Sequence, residues 1–133
     1  MSMSDYLENI LINHVLRGVS FTSPGARYVA LYTTDPTDAN TGTEVAGGNY
    51  ARQSIAFSAP VTPGITTNSA AVTFPVATAD WGTITHFGIL SALTGGNLWF
   101  AGRIETAGVA DPKTVLIDNQ VQFLTGQLEI DMD

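Results

Sequence analysis

Gly18 marks the strongest constraint on how this chain can fold, because the hydrophobic period changes there. Before it, Leu7, Ile10, Leu11, His14 and Val15 follow the i, i+3, i+4, i+7, i+8 spacing of one helix face. Ile12 and Leu16 lie off that stripe and widen it. Ser4 can cap the start, Asp5 and Glu8 place negative charge on the first turn, Arg17 sits at the last turn, and Gly18 offers a left-handed stop. A helix over 5–17 is expected, within an N-terminal segment of about 4–18. A helix apolar over so much of its circumference either sits deep in its own domain or docks into a neighbouring subunit. Ile12, Leu16 and His14 are its candidate contact residues.

After Gly18 the chain reads as β throughout. Strands are expected near 27–33, 50–57, 69–75, 83–91, 97–104, 114–117, 120–124 and 127–131, separated by Gly, Pro, Asn and Asp. The last two are expected to form a hairpin around Thr125-Gly126. This spacing predicts a mainly β fold: a single β-sandwich or small barrel of about eight antiparallel strands over about 26–132, preceded by one N-terminal α-helix. At 133 residues the chain has the length of one domain that buries about two thirds of its unfolded surface. No repeat, low-complexity tail or dividing linker interrupts it.

Between the strand Tyr28–Tyr32 and the run that begins at Tyr50 lies a long loop of Thr, Asp, Pro, Asn and Gly, residues that satisfy backbone groups locally and allow tight turns. A loop of that length in a small β domain is usually there to touch something. Asp35, Asp38, Asn40 and Glu44 are its candidate contact residues. With no large apolar side chain, the loop 34–48 is expected to add little to the core, so that shortening it would leave thermal stability almost unchanged. Its crowded oxygens also suggest calcium, but the glycine follows Asn40 by two positions and Glu44 arrives too early for an EF-hand. A hydrogen-bonded turn is the better reading, and no cofactor or metal is assigned.

Formal charge is −7, from twelve acidic and five basic residues, and Lys113 is the single lysine. Scattered cations cannot release counterions from a phosphate backbone, so no nucleic-acid partner is expected. Charged residues make up 13% and hydrophobic ones 44%, against about a quarter charged in ordinary soluble domains. Some surface is therefore expected to be covered by other protein. No apolar run reaches the length of a membrane span, and the start, Met1-Ser2-Met3-Ser4-Asp5, does not read as a secretory signal. The absence of cysteine leaves no disulfide framework or thiolate metal site.

Catalytic chemistry has little support. His14 and His86 are far apart and lack helper cysteines for zinc. His14 reads as a hydrogen-bonded interface or core residue, and His86 as structural or part of a pH-sensitive contact. The acidic residues fall mostly in turns, where they cap their own backbone. Neither the nucleophile elbow G-x-S-x-G nor the phosphate-cradling glycine loops are present. Trp99, within Asn97-Leu98-Trp99-Phe100, reads as core. Trp81, between Asp80 and Gly82, reads as an exposed turn residue able to touch a sugar ring.

The segments DPTDANTGTEVAGGNYAR, SDYLENILINHVLRG and TNSAAVTFPVATADWGTITHFGIL, starting at Asp35, Ser4 and Thr67, resemble a family of small bacteriophage virion proteins usually labelled tail fibre proteins. The similarity runs over roughly residues 4–100 and continues more loosely through the final strands. It implies a non-enzymatic structural role in a phage particle, assembled in the host bacterial cytoplasm. Three readings stand: an oligomeric accessory that decorates or cements the capsid, which is placed slightly ahead; a tail fibre or receptor-binding component; and, apart from the resemblance, a cellular glycan-binding β-sandwich module with no phage connection. The expected partners are further copies of the chain, with a trimer favoured, and major capsid or tail proteins. No nucleic acid or membrane is expected among them.

Overall fold

Short apolar runs flanked by turn residues can hold only a few ladder bonds each. The computed structural model, which describes residues 2–132, accordingly divides the chain's β structure into thirteen strands, more numerous and shorter than the eight expected. Five form an antiparallel sheet in the order β1-β8-β7-β2-β3: β1 (Ser2–Met3), β2 (Tyr28–Tyr32), β3 (Gln53–Ser54), β7 (His86–Leu90) and β8 (Leu98–Arg103). At its centre Tyr28 faces Leu90 and Tyr32 faces His86 across an unbroken register. Val29 and Leu31 of β2 point into the main core, whereas Ala30 and Tyr32 point to the other face, where they cluster with Leu90, Leu98 and Ala101. Both faces of the central strand are thus covered.

Three two-stranded pairs lie against the main face: β4 (Ile65–Thr67) with β13 (Glu129–Asp131), β5 (Val72–Thr73) with β12 (Gln122–Phe123), and β6 (Gly82–Ile84) with β11 (Lys113–Val115). Phe74, Ile84, Val115, Leu128 and Ile130 from this layer meet Val29, Leu31, Phe87 and Ile89 from the sheet. β9 (Glu105–Thr106) and β10 (Val109–Ala110) form a hairpin turned by Ala107 and Gly108, both at positive φ. The sheets are all antiparallel and do not close, so the small-barrel alternative is excluded.

Two local expectations are corrected. The expected strand 83–91 is two strands, because Thr85 hands the chain from one pairing to another: β6 pairs with β11, and β7 with β2 and β8. The expected terminal hairpin does not form. β12 and β13 lie on successive stretches of one path and pair with β5 and β4, and the Leu124–Gln127 turn between them is a jog in that path. Asn68, fully buried, holds the jog together. Its amide donates to Leu124 O at 3.0 Å and Ala70 O at 2.9 Å, and its Oδ1 accepts from Leu128 N–H at 3.0 Å. The side chain thus replaces the ladder bonds that the jog removes.

The helix starts as expected and ends differently. Ser4 Oγ accepts from Leu7 N–H at 3.2 Å, and Gly18 adopts a left-handed φ of 70°. Regular α-helix spans only Asp5–Leu11 (α1); Ile12–Leu16 is a wider π-helical turn. Leu7 is buried, Ile10 and Leu11 are half-buried, and the rest of the apolar stripe has left the domain surface behind.

Candidate interaction surfaces

The 34–48 loop is folded onto the domain, contrary to the expectation that it adds little to the core. Pro36 is fully buried and Val45 belongs to the main core. Glu44 is gripped by Arg52, whose Nε and Nη2 each meet one carboxylate oxygen at 2.8 Å, and it accepts a third bond from Tyr50 OH at 2.8 Å. Arg52 Nη1 donates to Ala92 O and Gly95 O at 2.7 Å, so one buried guanidinium ties this loop to the 91–96 loop. Tyr50 OH also accepts from Leu31 N–H, and Tyr32 OH donates to Asn40 Oδ1 at 3.0 Å. Burial, assisted by the Glu44 charge, pushes the Tyr32 phenol up to about 12. Burial likewise raises Tyr50, and the Glu44 bonds hold Arg52 more firmly protonated than usual.

The remaining acidic groups of the loop also turn to local partners. Asp35 Oδ1 accepts from Thr37 N–H at 2.8 Å, and its other oxygen lies 3.8 Å from His86 Nε2. His86 Nδ1 is within 2.8 Å of Thr85 Oγ1. Asp38 accepts from the Ser2 hydroxyl, and its carbonyl accepts from Asp5 N–H at 3.1 Å, joining the loop to the start of α1. Among the described residues no three His, Asp or Glu side chains gather as a metal site would need.

Trp81 is corrected as well. It is buried, donates from Nε1 to Gly48 O at 2.8 Å, and stands edge-on to Tyr50 at 5.5 Å. Gly48 comes so close that a Cβ there would lie 2.8 Å from the indole nitrogen. Trp81 therefore has no free face for a sugar. Trp99 is core as expected, flanked by Tyr6 and Phe21 at 5.4 and 6.0 Å.

The end of the helix is the opposite case. Ile12, Val15, Leu16 and Val19 are 51, 70, 77 and 47% exposed. His14, exposed beside them, is not core; its Nδ1 bonds Val19 O at 2.9 Å and closes the turn. Arg17 bonds Asn13 rather than a carboxylate. Residues 9–34 contain Arg17, Arg27 and His14 and none of the chain's twelve acidic residues. The result is an exposed apolar knob with Arg17 beside it. Of the residues singled out from sequence, Ile12, Leu16 and His14 come together here, while Asp35, Asp38, Asn40, Glu44 and Trp81 belong to the folded interior or its local bonds.

A second feature has no counterpart in the sequence reading. A cleft of about 660 Å³ opens between the sheet and the β12–β13 stretch, with Leu31, Phe87, Ile104, Phe123 and Leu128 among its apolar lining. Charged residues of both signs also line it, with Arg103 held by Glu105 and Lys113 by Asp111. These residues come from distant stretches of the chain, so no local motif announces the cleft.

A protein-family model described as podophage GP4 fiber I protein gp80 matches residues 2–131. No curated protein gives a significant match to the chain.

Proposed function

The chain belongs to that podophage fiber I gp80 family, and on this premise we propose that it is a non-enzymatic structural component of a tail fibre, acting as a homo-oligomer joined through its N-terminal helix end. Membership in a phage fibre family makes it a virion structural protein, with other virion proteins as partners. The capsid-decorating role placed first on sequence grounds gives way to the fibre role, because the matched family is a fibre family. The glycan-binding reading loses its anchor with the burial of Trp81.

The exposed apolar knob carries the reading. Four neighbouring aliphatic side chains, each about half exposed or more, form a patch of the kind that marks a protein contact. A trimer is the favoured closed form, since symmetric closure buries such patches on every copy. With a radius of gyration of roughly 14 Å for a chain of this length, one copy serves as an adaptor or tip and not as a long shaft. We read the chain as one domain, a reading supported by Leu7 of the helix and Ile130 of the last strand lying in one core cluster. A density map of the intact virion tests the assignment: copies at the tail in a number near three, six or twelve support it, and hundreds of copies on the capsid contradict it.

A further inference from the structure

We infer that the cleft is an open seam in the β structure that takes an added strand, and that this strand is Ser20–Ser23 of a second copy. The inference rests on the homo-oligomeric reading above and adds the segment that is exchanged and the edge that receives it. Bonds in an antiparallel ladder fall on alternate residues, so each bond fixes which way the neighbouring residues point. Ile104 N–H donates to Thr85 O and Ile104 O accepts from Asp111 N–H, both at 2.8 Å. The main-chain groups of Arg103 and Glu105 therefore point the other way, off the sheet. Ser4 N–H donates to Trp99 O at 3.0 Å on that side, and Ser2 faces Ala101, so Arg103 is the next position beyond the end of β1. Arg103 and Glu105 are exposed, line the cleft, and have no main-chain partner among the described residues. The facing wall also ends in outward groups: Phe74 N–H donates to Val121 O and Asn68 N–H to Leu128 O, which turns the main chain of Gln122 and Glu129 away from β5 and β4.

Ser20–Ser23 has the matching need. All four residues are exposed, and their main-chain groups have no partner among the described residues. The chain is tied down on either side, by Val19 N–H on Asn13 O at 2.9 Å and by Arg27 O, which accepts from Ile55 N–H at 3.0 Å. Phe21 holds the segment to its own domain only through its ring, set edge-on to Trp99. Ser-Phe-Thr-Ser alternates polar and aromatic as a strand does, and it contains no proline, so it can donate and accept along its whole length. It is uncharged, so covering it buries no ion. It follows directly on Val19 of the knob, and a contact through the helix end brings it against the neighbouring copy. Recognition by main-chain pairing suits a cleft lined by both polar and apolar groups. A segment given by one copy and received by the next makes a heterologous interface, which forms a ring where the rotation closes.

Residue-resolved hydrogen exchange tests the inference. The amides of Arg103 and Glu105 should exchange on the order of tenfold more slowly in the assembled parent than in a Leu16→Asp monomer. Equal rates in an oligomeric parent overturn the inference and leave the oligomeric reading standing, whereas a monomeric parent overturns both. Two substitutions at one position separate main chain from side chain. Glu105→Pro removes an outward donor and no ladder bond within its own copy, so it should fold and stay monomeric in sedimentation, while Glu105→Gln keeps the donor and should assemble. If the two assemble alike, the pairing is not through the main chain and the inference fails. Cross-linking covers a proline variant that does not fold, because the chain has no native cysteine. A mixture of Thr22→Cys and Glu105→Cys proteins should form a mixed disulfide under mild oxidation. Covalent dimers of Thr22→Cys alone, with no mixed species, would show segment-to-segment contact and overturn the inference.

Discussion

The 34–48 loop and the 12–19 helix end are both candidates for contact from their sequence, and the fold treats them in opposite ways. The loop is polar, yet its polar groups find partners inside the molecule: Glu44 on Arg52 and Tyr50, Asn40 on Tyr32, Asp35 on the Thr37 N–H. The helix end is apolar, yet beyond Leu11 it has no domain surface left to pack on, and its side chains go to solvent. Composition alone does not distinguish a contact element from a structural one. What decides is whether each group is satisfied within its own chain, since a buried polar group costs free energy only when unpaired, and an apolar group gains only when covered.

The largest effect should come from cutting the loop's anchor. Arg52→Ala leaves the Glu44 carboxylate and the Ala92 and Gly95 carbonyls without their donor, and should cost about 4 kcal/mol in guanidinium denaturation. Shortening the loop should lower the melting temperature for the same reason. A loss under about 1 kcal/mol for Arg52→Ala would mean that the loop is only draped on the surface, and the contrast with the helix end would collapse.

Asn68→Ala provides an internal yardstick remote from both regions. It strips partners from Leu128 N–H and Leu124 C=O, and should cost about 3 kcal/mol by the same assay. Its importance could not be read from the sequence, because an Asn within Thr-Thr-Asn-Ser reads as turn punctuation. The partner that gives it a role is the Leu124–Leu128 stretch, close to sixty residues away.

Other parts of the sequence were more legible, for physical reasons that differ by element. The strands Tyr28–Tyr32, His86–Leu90 and Leu98–Arg103 fall inside the expected spans, because a run of β-branched and aromatic residues needs no information from elsewhere to be extended. The Ser4 cap and the Gly18 stop are likewise local chemistry. Trp81 reads as a turn residue because its neighbours are Asp80 and Gly82, while its burial depends on the close approach of Gly48 from another segment. Three of the eight interface candidates come together as an exposed cluster. Ile12, Leu16 and His14 lie on one local turn, whereas whether Glu44 is free depends on Arg52 and Tyr50.

Alkaline titration sharpens the loop side of the comparison with a smaller effect. The Tyr32 phenol is raised from 10.0 to about 12 in the folded protein. The stability it contributes is therefore complete below pH 10 and is lost as the pH rises towards 12, roughly 2–3 kcal/mol in all. Absorbance at the phenolate band should show part of the tyrosine signal ionising late, together with unfolding. Complete ionisation by about pH 11.5 with the fold intact would show that the network around Glu44 is open to water.

The smallest stability effect and the sharpest functional one should coincide at the helix end. Leu16 is 77% exposed, so Leu16→Asp should change folding stability by no more than about 0.5 kcal/mol. Light scattering of this variant beside the parent tests the central claim most directly. The account predicts an oligomeric parent and a Leu16→Asp protein that melts like the parent but has the mass of a single 14.0 kDa chain. A variant that assembles like the parent, or one that loses its fold along with assembly, would contradict it.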